Sequence, residues 1–141
     1  MTAPAALLTV FALVAVATVL GLVWKTRNGR LRAVDGAVRL AAGDLGAARL
    51  GPRATLVQFS TAFCAQCPAT GRVLAGVAAE QAGVDHLDID LTARPELARR
   101  FDVLQTPTTL LVDGAGRVRG RISGAARPAA VRDALDLILT E

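Results

Sequence analysis

Cys64 and Cys67 are the residues of this chain whose type and spacing point most directly to chemistry. They are its only two cysteines, so each has one possible partner within the chain. Two intervening residues put the second thiol about one helical turn beyond the first, near enough to close a disulfide. Thr55 to Phe59, just upstream, is a short run of branched and aromatic side chains that reads as a buried strand. Downstream, Val73, Leu74, Val77 and Ala78 keep the spacing of one stripe on an amphipathic helix. The pair therefore stands at a strand-to-helix junction. Unpaired backbone N–H groups and the helix dipole there favour a thiolate at Cys64. Such a thiolate attacks a disulfide, and Cys67, one turn deeper, resolves the mixed disulfide that forms. The competing reading is half of a zinc site, or two structural thiols. Zinc takes four ligands and His86 is the only histidine, so a site closed within one chain would need carboxylates; no metal is expected.

Two further stretches extend the pattern: Leu87-Asp-Ile-Asp90, and Thr106-Pro107-Thr108 leading into an apolar run. In this order and spacing, from about Leu50 to the C-terminus, the chain resembles the thioredoxin family. The resemblance implies an α/β fold with a mixed central sheet covered by helices on both faces. It implies that Pro107 is a cis-proline lying beside Cys64, with the Thr106 backbone free to pair with an extended substrate. Gly124 matches a glycine near the family's substrate-facing surface, and Asp90 a structural aspartate at a strand end. The chain also departs from the family. Phe63 stands where a tryptophan is usual and keeps an apolar cover without the indole donor, and Ala65-Gln66 replaces Gly-Pro. Gln58 occupies the place of a buried, proton-moving aspartate and cannot titrate. His86 falls where that aspartate's lysine partner would be, as either a substitute base or a partly exposed strand residue with no role. No bound cofactor is expected, because electrons travel through the Cys64–Cys67 pair. The expected partners are protein disulfides, together with a thioredoxin reductase or a transmembrane thiol electron carrier that recharges the pair.

The elements that must position these residues follow from periodicity. Val84 to Asp90 reads as a second strand and Arg94 to Phe101 as a short helix with Pro95 in its first turn. Thr108 to Val112 and Val118 to Ile122 form a hairpin about Asp113-Gly-Ala-Gly116. Pro128 to Leu139 closes the chain as a helix, with Val131, Leu135, Ile138 and Leu139 on one face.

Ahead of this domain, Ala3 to Trp24 carries no charge across 22 positions. As a helix it would span about 33 Å, close to a bilayer core. Trp24 stands at an interfacial position, and Lys25, Arg27, Arg30 and Arg32 follow. A cleaved signal peptide ending near Ala15-Val-Ala17 is the alternative, disfavoured by the length of the run and the lack of a preceding Lys or Arg. The expected organisation is a transmembrane anchor at 3–24, a basic Gly/Ala-rich linker at 25–50 and a domain at 51–141. Val38 to Leu40 and Asp44 to Leu50 are candidates for a short strand or helical turn packed on that domain. The positive-inside rule puts the domain in the cytoplasm, with an extracytoplasmic domain as the alternative.

The net charge of +4 is uneven: residues 1–54 carry +5 and residues 55–141 carry −1. The basic flank suits anionic lipid, and the folded part is neither basic nor aromatic enough for nucleic acid. The function expected is a membrane-tethered thiol–disulfide oxidoreductase that reduces protein disulfides. The alternatives are an extracytoplasmic oxidase or isomerase, and a non-catalytic binding or metal-handover module.

Overall fold

The computed structural model describes residues 3–140. In chain order the elements are α1 (Ala3–Arg27), β1 (Leu31–Ala33), α2 (Ala42–Leu45), β2 (Ala54–Ser60), α3 (Cys67–Ala79), β3 (Val84–Asp90), α4 (Pro95–Arg100), β4 (Thr108–Asp113), β5 (Val118–Ser123) and α5 (Pro128–Leu139). Five strands form one sheet in the order β1-β5-β4-β2-β3. β2 and β3 run parallel, whereas the pairs β2–β4, β4–β5 and β1–β5 are antiparallel. The parallel pair needs a crossover, and α3 supplies it.

Alternation along β2 divides its side chains between two cores. Ala54 and Leu56 join Leu74, Val77 and Ala78 of α3 and Val131, Ala134 and Leu135 of α5 on one face. Val57 and Phe59 join Leu45, Leu97, Phe101 and Leu110 on the other, where the Phe59 and Phe101 rings stack at 5.6 Å. Every β2 residue is buried, which explains the near-continuous apolar run. Two hydrogen bonds of 2.7 Å from Arg132 to Glu80 tie α5 to the end of α3.

The stretch 25–50, expected as a linker, carries two of the ten elements. β1 pairs with β5 through Leu31↔Ile122 and Ala33↔Gly120, and Arg39 bridges to Arg117. Leu40 and Leu45 are buried in the second core. Val38 to Leu40 adds a single bridge, and the strand proper falls at Leu31–Ala33, where the open backbone edge of β5 accepts three residues too few to show an alternation and Leu31 packs on the first core. α1 is long and apolar enough to cross a membrane, with mean hydropathy 2.7. Its side chains stand exposed from Leu7 to Arg27, so nothing in the domain covers them.

Candidate active site

β2 ends at Ser60, and two turns carry the chain from there into α3. Those turns are fixed from below: Leu91 N–H donates to the Ser60 carbonyl at 2.8 Å, and Ala62 N–H to Thr92 Oγ1 at 3.0 Å. Thr92 is held in turn by its own N–H donating to Asp90 Oδ1 at 2.8 Å. Those Thr92 bonds hold the exposed Asp90 carboxyl below the usual carboxylate range. The aspartate at the strand end therefore shapes the loop that carries the cysteines.

Cys64 and Cys67 are joined in a disulfide, with their Cα atoms 5.4 Å apart. Cys67 is buried at 4 % exposure, whereas Cys64 is half-buried. A nucleophile must be reachable and a resolving thiol need not be, so the asymmetry matches the order of attack. α3 begins at Cys67, not at Cys64. The first cysteine lies in the turn leading to the helix, and Pro68 sits in the first helical turn, where its missing N–H would find no partner anyway.

The Thr106–Pro107 bond is cis. Thr61 and Thr106 hydroxyls meet at 3.4 Å, which brings the loop before β4 against the turn before Cys64. Thr108 Oγ1 donates to the Gln105 carbonyl at 2.7 Å, and Gly124 N–H to the Pro107 carbonyl at 2.8 Å. Gly124, at φ +89, thus backs the proline loop from the end of β5. Phe63, expected as an apolar cover, is 92 % exposed and presents its ring to solvent. Leu104, two residues ahead of Thr106, is also 88 % exposed; periodicity misses it because it belongs to no element.

Beneath the pair lies a short polar chain. Gln58 is fully buried, and its Nε2 donates to the Cys67 carbonyl at 2.9 Å. Its Oε1 faces His86 Nε2 at 3.2 Å, the geometry of a ring that carries its proton on Nε2. Gly71 of α3 makes room, since a Cβ there would stand 3.2 Å from Gln58 Oε1. Burial pushes the His86 pKa down, opposed by the negative charge of Asp88. The histidine is half-buried and bonded to Gln58 rather than to a sulfur. The structure thus brings Cys64, Cys67, Thr106, Pro107 and Gly124 to one end of the sheet, with Gln58 and His86 below and Phe63 outside.

The family model for thioredoxin matches residues 49–136. The chain is 31% identical over 86 residues to a thioredoxin of Mycolicibacterium smegmatis, a match covering 59% of this chain and 77% of the relative. It is 34% identical over 86 residues to a bifunctional thioredoxin reductase/thioredoxin of Mycobacterium leprae, covering 59% of this chain but only 18% of that protein. Among solved structures, the thioredoxin of Trypanosoma brucei brucei superposes with a TM-score of 0.56 at 26% identity, covering 64% of this chain and 78% of that one. With the family model matched over most of its length, this chain belongs to the thioredoxin family.

Proposed function

We propose that the chain is a membrane-tethered thiol–disulfide oxidoreductase that reduces protein disulfides through Cys64 and Cys67. One observation carries the reading: a half-buried Cys64 linked to a buried Cys67, beside a cis Thr106–Pro107 bond. In the reduced protein, the Cys64 thiolate attacks one sulfur of a substrate disulfide. A new S–S bond forms to Cys64 while the other substrate sulfur leaves and takes up a proton. Cys67, having lost its own proton, then attacks Cys64. This closes the intramolecular disulfide seen in the structure and releases the second substrate thiol. Two electrons and two protons pass to the substrate, and no bound cofactor enters. The Thr106 backbone, ahead of the cis bond, pairs with the substrate segment during attack. His86 is the titrating group below the pair; the Gln58 amide joins it to the Cys67 backbone carbonyl and not to the sulfur, so its charge acts on Cys67 through the local field and not by proton relay.

A donor must return the electrons. The relative that joins a thioredoxin to its reductase in one protein supports a thioredoxin reductase in that role. This suits a cytoplasmic domain, the side favoured by the charges following α1. On the opposite side, a transmembrane thiol carrier would take its place. The tether is supported by the length, hydropathy and exposure of α1.

The direct test is a Cys67→Ser variant, which can attack but cannot resolve. It should accumulate covalent adducts with disulfide proteins through Cys64, released by added thiol. Adduct formation no greater than in a chain lacking both cysteines would contradict the mechanism.

A further inference from the structure

The anchor and the redox pair leave the domain at the same end of its sheet. α1 stops at Arg27, and one residue later Gly29 is already part of the domain. It is buried, its N–H donates to the Ser123 carbonyl at 2.8 Å, and a Cβ on it would stand 2.6 Å from the Ala125 carbonyl oxygen. Asn28 packs on Gly124, where a Cβ would lie 3.4 Å from Asn28 Cβ. Gly124 in turn donates to the Pro107 carbonyl. Strand register continues the row: Leu31 pairs with Ile122, Ser123 with Thr108, and Thr108 with Phe59, which leads into the turn holding Cys64. β1 and β2 are separated by three strand spacings, about 14 Å. β1 then runs away from this edge, and α1, exposed along its length, does not fold back over the domain.

The chemistry of the edge suits a bilayer surface. Arg27, Arg30 and Arg32 pair with no carboxylate among the described residues and line a cavity of about 530 Å³ that also reaches Leu104 and Gln105. Cations at this level meet anionic headgroups. Phe63 and Leu104 are the two large apolar side chains of the redox end left nearly fully exposed.

We propose that the substrate is a disulfide at the bilayer surface, carried by a membrane-embedded protein within the first few residues beyond its span. This rests on the reading of the chain as a membrane-tethered reductase. With one residue between the end of α1 and Gly29, the redox edge is held facing the headgroups. A cysteine pair close to the membrane meets Cys64 at high effective concentration, and one held far above it does not.

The test uses the full chain in nanodiscs of mixed zwitterionic and anionic phospholipid, reduced beforehand. The substrate is a single-span peptide in the same disc, with its disulfide either directly after the span or beyond a Gly/Ser spacer of about 40 residues. Such a spacer has a mean reach of about 35 Å. The near disulfide should be reduced at least about tenfold faster. Inserting about 20 Gly/Ser residues between Arg27 and Asn28, which frees the domain but keeps its docked Asn28–Gly29, should bring the two rates within about twofold. Equal rates for the native chain, a faster distal disulfide, or a preference unchanged by the insertion would each overturn the proposal. Two controls separate its failure from that of the underlying reading. Insulin reduction by the same chain in detergent reports redox activity, and resistance to alkaline extraction from vesicles reports the span. Loss of either removes the reading and this proposal with it.

Discussion

His86 is the only histidine of the chain and therefore its one side chain with an ordinary titration near neutrality. Burial holds its folded pKa below the ordinary imidazole value of about 6.5. The unfolded chain thus binds the proton more readily than the folded one. The stabilising contribution is complete above about pH 6.5 and is lost as the pH falls towards the depressed folded value. The carboxylates Asp44, Glu80 and Asp90, held low by hydrogen bonds from Ala41, Arg132 and Thr92, lose their contributions only below about pH 4.5. Between pH 7 and 5, His86 should therefore dominate the fall in stability. Denaturant midpoints of a His86→Gln variant should be flatter with pH across that interval. The pH profile of its thiol exchange should also change shape. A profile identical to that of the native chain would show that the charge on His86 does not act on the cysteine pair and leave it a strand residue. The Cys64–Cys67 disulfide is legible because Cys-x-x-Cys records its own spacing, and the cis bond before Pro107 is legible only through the family resemblance. The Gln58–His86 contact can be read only in part, since register places both positions but not the amide that joins them.

Among the elements, periodicity reads β2, β3, α4, β4, β5 and α5 to within a residue, because each buries side chains in one or both of the two cores, whereas the start of α3 falls three residues later than the first cysteine suggests. It fails where an element is too short to show a period. β1 is three residues long with only Leu31 packed on the core, and it forms where β5 offers an open edge and Gly29 turns the chain onto it. Gly29 sits at φ +75, a conformation that costs other residues about 1 kcal/mol or more, and a side chain there would meet the Ala125 carbonyl. Gly29→Ala should therefore lower stability by about 2 kcal/mol. Hydrogen exchange should speed up at Leu31 to Ala33 and at Ile122, with α3 and α5 little affected. Unchanged protection in β1 would show that the strand does not depend on this turn.

For the whole molecule, the division of charge carries the argument about place. The basic excess lies in residues 1–54, which hold the apolar helix and the first elements of the domain, and residues 55–141 carry −1. If the positive-inside bias governs, a membrane-impermeant maleimide should label Cys64 and Cys67, after mild reduction, only once cells are lysed. Labelling of intact cells would put the domain outside and point to a transmembrane thiol carrier as the donor.

Attack by Cys64 on a disulfide is read out by the rate at which the reduced chain, with a thiol donor, reduces insulin disulfides, compared with Cys64→Ser. Removing the nucleophile should lower the rate at least about a hundredfold, to the background given by the donor alone. Equal rates would contradict the account and leave a thioredoxin fold that binds rather than reacts.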